Sequence, residues 1–102
     1  MDKIAKTIAE ELNIKIQQVE NTIKLIDEGN TIPFIARYRK EVTGELNDEI
    51  LRNFNDRLTY LRNIEKRKEE VAKSITEQGK MTEEIAAALS KAETLTEVED
   101  IY

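Results

Sequence analysis

The stretch "GNTIPFIARYRKEVTG", residues 29–44, holds the only proline of the chain and two of its three glycines. On either side Lys, Glu, Ile, Leu and Ala recur at helical spacing, so this segment punctuates an otherwise helical run. Asn30 or Thr31 can cap a short helix, Pro33 is tolerated in its first turn, and Gly44 closes it. At about 100° per residue, Phe34, Ile35, Tyr38 and Val42 share one face. They are expected to turn inward as a wedge between the elements before and after. Arg37 and Arg39 fall on opposite flanks of that stripe, and Lys40 points away from it. Two readings of these cations stand side by side. In one, the arginine stems lie along the core and their heads pair with acids, Glu41 being one turn from Arg37. In the other, Arg37, Arg39 and Lys40 meet nucleic acid, with Lys40 best placed for phosphate.

Working outward, Ile4, Ile8 and Leu12 repeat every four residues beside Ala5 and Ala9, which predicts a first helix over 2–12. Asp2 suits its cap or first turn, and Asn13 suits a left-handed end. A second helix is expected over 15–28, with Ile16, Val19, Ile23 and Ile26 buried and Gly29 as terminator. On the other side, Asn47 or Asp48 can cap a long helix that Gly79 ends after about 31 residues, roughly 46 Å. Its stripe of Ile50, Phe54, Leu58, Leu61, Ile64, Val71 and Ile75 is broken at Lys68 inside "EKRKEE" (65–70). That break suggests two contact zones joined by a solvated middle. A short helix near 83–92, capped by Thr82 and anchored by Ile85 and Leu89, follows. Thr96 and Glu99 then have capping-box spacing, so a further helix is announced just before the chain stops. That placement suggests a fragment of a longer protein.

Composition narrows the function. The chain has 102 residues, no cysteine and no histidine, which excludes thiolate chemistry and leaves no favoured ligand for zinc or other transition metals. No apolar run is long enough to span a bilayer, so a soluble cytoplasmic protein without membrane partners is expected. The net charge of −5 argues against a binder of nucleic acid that works by charge alone. The charge is uneven: residues 52–73 carry seven basic and four acidic side chains, and residues 81–102 one basic and six acidic.

No catalytic constellation emerges. Ser74 and Ser90 have no histidine to activate them. Adjacent carboxylates such as Glu10–Glu11, Glu69–Glu70 and Glu83–Glu84 diverge on a helix and cannot converge on one bond. No Walker A loop or dinucleotide fingerprint is present. A non-catalytic protein with no cofactor is expected.

Residues 8–29 have the pattern of a helix-turn-helix, whose second helix would present Lys15, Gln17, Gln18, Asn21 and Lys24. Gln and Asn can read adenine edges, and Lys can meet phosphate. Glu20, Asp27 and Glu28 on the same helix would repel phosphate, and the same pattern also makes a purely structural hairpin. On the long helix Arg62, Lys66 and Lys73 lie close to one another in angle. They offer a phosphate or partner track, or, with Glu69 one turn before Lys73, a self-paired mixed face.

Four stretches carry a resemblance: "GNTIPFIARYRKEVTG" (29–44), "LNDEILRNFNDRLTYL" (46–61), "RKEEVAKSITEQGKMTEE" (67–84) and "LTEVEDIY" (95–102). Together they resemble the amino-terminal region of the bacterial Tex family, transcription accessory proteins related to a eukaryotic elongation factor and histone chaperone. The likeness runs over essentially the whole chain and is most specific in 29–44. It implies a helical domain followed in the full-length protein by an RNase-H-like domain, helix-hairpin-helix units and an OB-fold RNA-binding domain. None of these is present here, and the basic Leu-Pro-Tyr-Lys-type run that usually follows the last tyrosine is absent too.

The expectation is thus an all-α domain of about five helices: a helix-turn-helix-like part with a short third helix (1–46), a long central helix (47–79), and a short helix with the start of another (80–102). Its expected role is a non-catalytic module that packs on the remaining domains of its chain and adds secondary contacts to RNA, DNA or the transcription machinery. The alternative is a protein-interaction scaffold that binds no nucleic acid, with an exposed apolar strip around Val71 and Ile75.

Overall fold

The computed structural model describes residues 3–102, and the expected cap at Asp2 lies outside them. Among the described residues there are seven helices and no strand. In order they are α1 (Lys3–Leu12), α2 (Ile16–Asp27), α3 (Ile32–Tyr38), α4 (Lys40–Thr43), α5 (Asp48–Glu77), α6 (Glu83–Lys91) and α7 (Leu95–Ile101). The chain forms two compact units, residues 1–59 and 60–102, and the division falls inside α5.

In the first unit α1 ends at Asn13, whose φ of 55° is the left-handed conformation expected of it. Ala5 and Ile8 of α1 and Val19 and Leu25 of α2 are buried. The end of α2 is finished by Asn30, whose Nδ2 donates to the Leu25 carbonyl at 2.8 Å. Thr31 then caps α3, its Oγ1 accepting from the Phe34 N–H at 3.3 Å, with Pro33 in the first turn. Leu25, Ile35, Leu46 and Leu51 form a core cluster, with Ile32, Ala36, Val42 and Ile50 packed on it.

The single helix expected across 30–44 is two helices. Arg39 leaves the helical region (φ −129°, ψ 31°), which ends α3 and restarts the chain as α4. The wedge expectation fails with it. Ile35 is buried, but Phe34 is 36% and Tyr38 54% exposed. The cap at Thr31 sets the phase of α3 so that Ile32, Ile35 and Ala36 face the core. The break at Arg39 then re-phases the chain, so Val42 turns inward on α4, and one angular count cannot run through both helices.

α4 is closed by Gly44 at φ 73°, and Glu45 follows at φ 67°. The buried Thr43 bridges this turn, its Oγ1 accepting from the Leu46 N–H at 3.3 Å. Asn47 caps α5 through Oδ1, which accepts from Ile50 N–H at 2.8 Å.

In the second unit Ile64, Val71, Ile75, Leu89, Ala92 and Val98 make the core, with Leu61, Ile85 and Leu95 packed on it. Lys68, expected in a solvated middle, is only 9% exposed. Its aliphatic stem completes the apolar stripe, while Nζ reaches Glu65 Oε1 and the Ser90 carbonyl, each at 3.5 Å. Thr82 caps α6 as expected, its Oγ1 accepting from the Ile85 N–H at 3.2 Å. The cap of α7 is Thr94, not Thr96: Thr94 Oγ1 accepts from the Glu97 N–H at 3.1 Å. Thr96 lies inside the helix, and Glu99 is used elsewhere.

Candidate nucleic-acid interface

The second helix of the hairpin was one candidate surface. Its polar residues are largely committed to holding α4. Gln18 Nε2 donates to the Thr43 carbonyl at 2.9 Å, and Gln18 Oε1 accepts from the Lys15 N–H at 3.0 Å. Asn21 Nδ2 donates to the Val42 carbonyl at 3.1 Å, and its Oδ1 accepts from Gln17 Nε2 at 3.0 Å. The last turn of a helix leaves carbonyls without helical partners, and these two amides satisfy them. Both amide groups therefore face α4 rather than a groove, while the Lys15 and Lys24 side chains are exposed.

On α5, Lys66 and Lys73 are exposed, and among the described residues Lys73 makes no ion pair with Glu69. Arg62 is exposed and engaged in an interaction of its own. Other arginines of this helix are clamps. Arg57 grips Glu11 of α1 with a two-pronged fork, Nε and Nη2 each 2.7 Å from a carboxylate oxygen. Arg67 holds Glu99 of α7 in the same way, with Nη2 at 3.1 Å from Oε2, and lies over the Tyr102 ring. The hydrogen bond from Arg67 holds the Glu99 carboxyl below the usual carboxylate range, against a smaller opposing effect of desolvation. The same bond raises the Arg67 guanidinium. Ser74 and the Tyr102 hydroxyl, 2.7 Å apart, tie the last residue of the chain to α5.

The structure brings together Arg37 and Arg39 with two residues that pattern reading placed in the core. The Phe34 and Tyr38 rings lie side by side on the surface, centroids 5.2 Å apart and tilted by 47°. The Arg37 guanidinium sits 5.6 Å from the Tyr38 ring centre, and that of Arg39 sits 5.1 Å from the Phe34 ring centre. Arg39 also donates through Nη1 to the Tyr38 carbonyl at 3.0 Å. Among the described residues neither arginine is ion-paired, and the expected Arg37–Glu41 pair is not formed. Lys40 is exposed and opens α4, directly after Arg39 in the chain. The exposed aromatics could have been read from the sequence by counting from Thr31: Ile32, Ile35 and Ala36 already complete an inward face at helical spacing.

Chemistry of other kinds finds little support. Among the described residues no three acidic side chains are placed to hold a metal ion. The hollow beside Glu20, Lys24, Asp27 and Glu28 is open to solvent. No described helix is long and apolar enough to cross a membrane.

Comparison with known proteins agrees with the resemblance carried by 29–44. The family profile of the Tex-like protein N-terminal domain matches residues 2–76. The chain is 50% identical over 101 residues to Protein YhgF of Escherichia coli, covering 99% of this chain and 13% of that protein. It is 46% identical over 99 residues to the transcriptional accessory protein Tex of Neisseria gonorrhoeae, again over 97% of this chain and 13% of the relative. To the human S1 RNA-binding domain-containing protein 1 it is 34% identical over 98 residues, covering 96% of this chain and 10% of that protein. The chain thus spans about an eighth of the bacterial relatives it matches. It belongs to the family of the Tex-like protein N-terminal domain.

Proposed function

We propose that this chain is the non-catalytic amino-terminal module of a cytoplasmic transcription accessory protein. It packs on the later domains of the full-length protein and adds secondary contacts to nucleic acid. One relative is a transcriptional accessory protein, and another carries an S1 RNA-binding domain in its name, which supports a setting of transcription and RNA. The single observation that carries the nucleic-acid half is local: within residues 37–40 of an acidic chain Arg37 and Lys40 are exposed and Arg39 is half-buried, and among the described residues none of the three is ion-paired. Cations without acids are free to meet phosphate. Three phosphate contacts on a single strand give a salt slope of about −2, and binding that fades with salt is the expected behaviour. Titrating the chain with single-stranded RNA and duplex DNA at low and moderate salt tests this. Absence of any salt-sensitive binding at low salt refutes the nucleic-acid half and leaves the scaffold reading. The version of that scaffold built on an exposed strip at Val71 and Ile75 loses support, because both are buried, 1% and 7% exposed.

A further inference from the structure

We propose that Phe34 and Tyr38, with Arg37 and Arg39, form a stacking platform for the unpaired bases of single-stranded nucleic acid. The proposal rests on the nucleic-acid reading above and adds the mode of binding and the strand form.

The chain has only five aromatic residues. Three are exposed large side chains: Phe34, Tyr38 and Tyr102. Tyr102 has an internal explanation, since its hydroxyl meets Ser74 and its ring carries Arg67. Phe34 and Tyr38 touch only each other and the two arginines of their own segment by the ring contacts described, since the inward face of α3 is already complete with Ile32, Ile35 and Ala36. Two adjacent, partly exposed rings form an apolar patch that a ligand can cover.

The ligand's chemistry follows from how the arginines sit. Each guanidinium lies within cation–π distance of a ring, 5.6 Å for Arg37 and 5.1 Å for Arg39, and among the described residues neither is ion-paired, so the N–H donors other than the Arg39 Nη1 that meets the Tyr38 carbonyl are available to a ligand. Edge donors suit the paired oxygens of a phosphate. Alternating rings and cations over Phe34–Lys40 therefore offer π-faces to bases and N–H groups to the phosphates between them. The geometry favours a single strand. A paired base buries both faces in its own stack, whereas a strand with splayed bases can lay one on a protruding ring. The platform is preformed: the Thr31 cap and Pro33 fix the start of α3, and the backbone break at Arg39 sets Arg39 back across Phe34.

The test uses fluorescence anisotropy with a short labelled RNA, single-stranded or as a duplex of the same sequence. The chain contains no tryptophan, so Tyr38→Trp places one reporter in the platform. The single strand is expected to bind more tightly than the duplex. Phe34→Ala with Tyr38→Ala should weaken it at least about fivefold and leave the salt slope unchanged, since bases rather than phosphates are lost. In Tyr38→Trp the tryptophan emission should be quenched by the bound strand. Circular dichroism checks that the variants stay folded. If the double variant binds the single strand as well as the parent, or strand and duplex bind equally, the platform is wrong while phosphate contact stands. If the parent binds neither, both proposals fall. If RNA leaves the tryptophan emission unchanged but poly-glutamate alters it, the patch docks an acidic protein surface and the platform is refuted.

Discussion

Replacing Gly44 with alanine tests the junction that fixes the opening stretch against α2. Gly44 sits at φ 73°, and an alanine there meets left-handed strain of roughly 1–2 kcal/mol. A second cost is particular to this site. A methyl group on Gly44 would collide with the Gln18 carboxamide, which lies against it and donates to the Thr43 carbonyl at 2.9 Å. Gln18 can swing away only by giving up that bond, worth about 1 kcal/mol net. Gly44→Ala is therefore expected to cost about 2–3 kcal/mol in all. Gly79 is the comparator: its φ is 70°, and a methyl group there meets nothing within 4 Å. Gly79→Ala should cost the strain alone. The decisive assay is a double-mutant cycle by urea unfolding followed by circular dichroism. In a Gln18→Ala background there is no carboxamide to displace, so Gly44→Ala should become about 1 kcal/mol milder than in the parent. Costs that simply add, within about 0.5 kcal/mol, would refute the assigned role of Gln18.

Three further outcomes are expected. Ile35→Ala should cost about 2–5 kcal/mol by opening a cavity, while Tyr38→Ala stays within about 0.5 kcal/mol, and equal losses in urea unfolding would contradict the orientation of α3. Lys68→Met should be neutral or stabilising by up to about 1 kcal/mol, because it keeps the stem and removes a buried ammonium with two long contacts, whereas Lys68→Ala should destabilise the second unit. Glu99 is held below the usual carboxylate range, so its bond to Arg67 contributes fully above about pH 4.3 and is lost as pH falls through its lower folded value. Glu99→Gln should therefore flatten the acid limb of stability against pH. An acid limb identical to the parent's would count against that bond.

The helices themselves were legible because their signals are local. A cap needs only a side-chain oxygen three residues ahead of an N–H, so Thr31, Asn47 and Thr82 announce their helices. A left-handed end needs only a residue that tolerates positive φ, as at Asn13, Gly29, Gly44 and Gly79. Where a local signal was doubled, the nearer one prevailed: Thr94 starts α7 and leaves Glu99 for Arg67. The family was legible too, since the motif in 29–44 is specific whatever its side chains do in space.

Orientation at the candidate site was another matter. An angular count grouped Phe34 and Tyr38 with Ile35 and Val42 and turned them inward, but a helical face is chosen by what fills the space beneath it, and Ile32, Ile35 and Ala36 fill it. The break at Arg39 has no proline or glycine to announce it; the backbone bends there so that Val42 and Thr43 can pack while Gln18 and Asn21 take their terminal carbonyls. Lys68 was read by its charge, whereas burial acts on its four-carbon stem. Local signals carried the all-helical class, most helix ends and the kinship, but not the break between α3 and α4 or the start of α7. Which polar groups hold the fold and which remain outside is settled by tertiary contacts, because that choice depends on partners distant in the chain. It is what spends Gln18 and Asn21 on α4 and leaves Arg37, Arg39 and two rings at the surface.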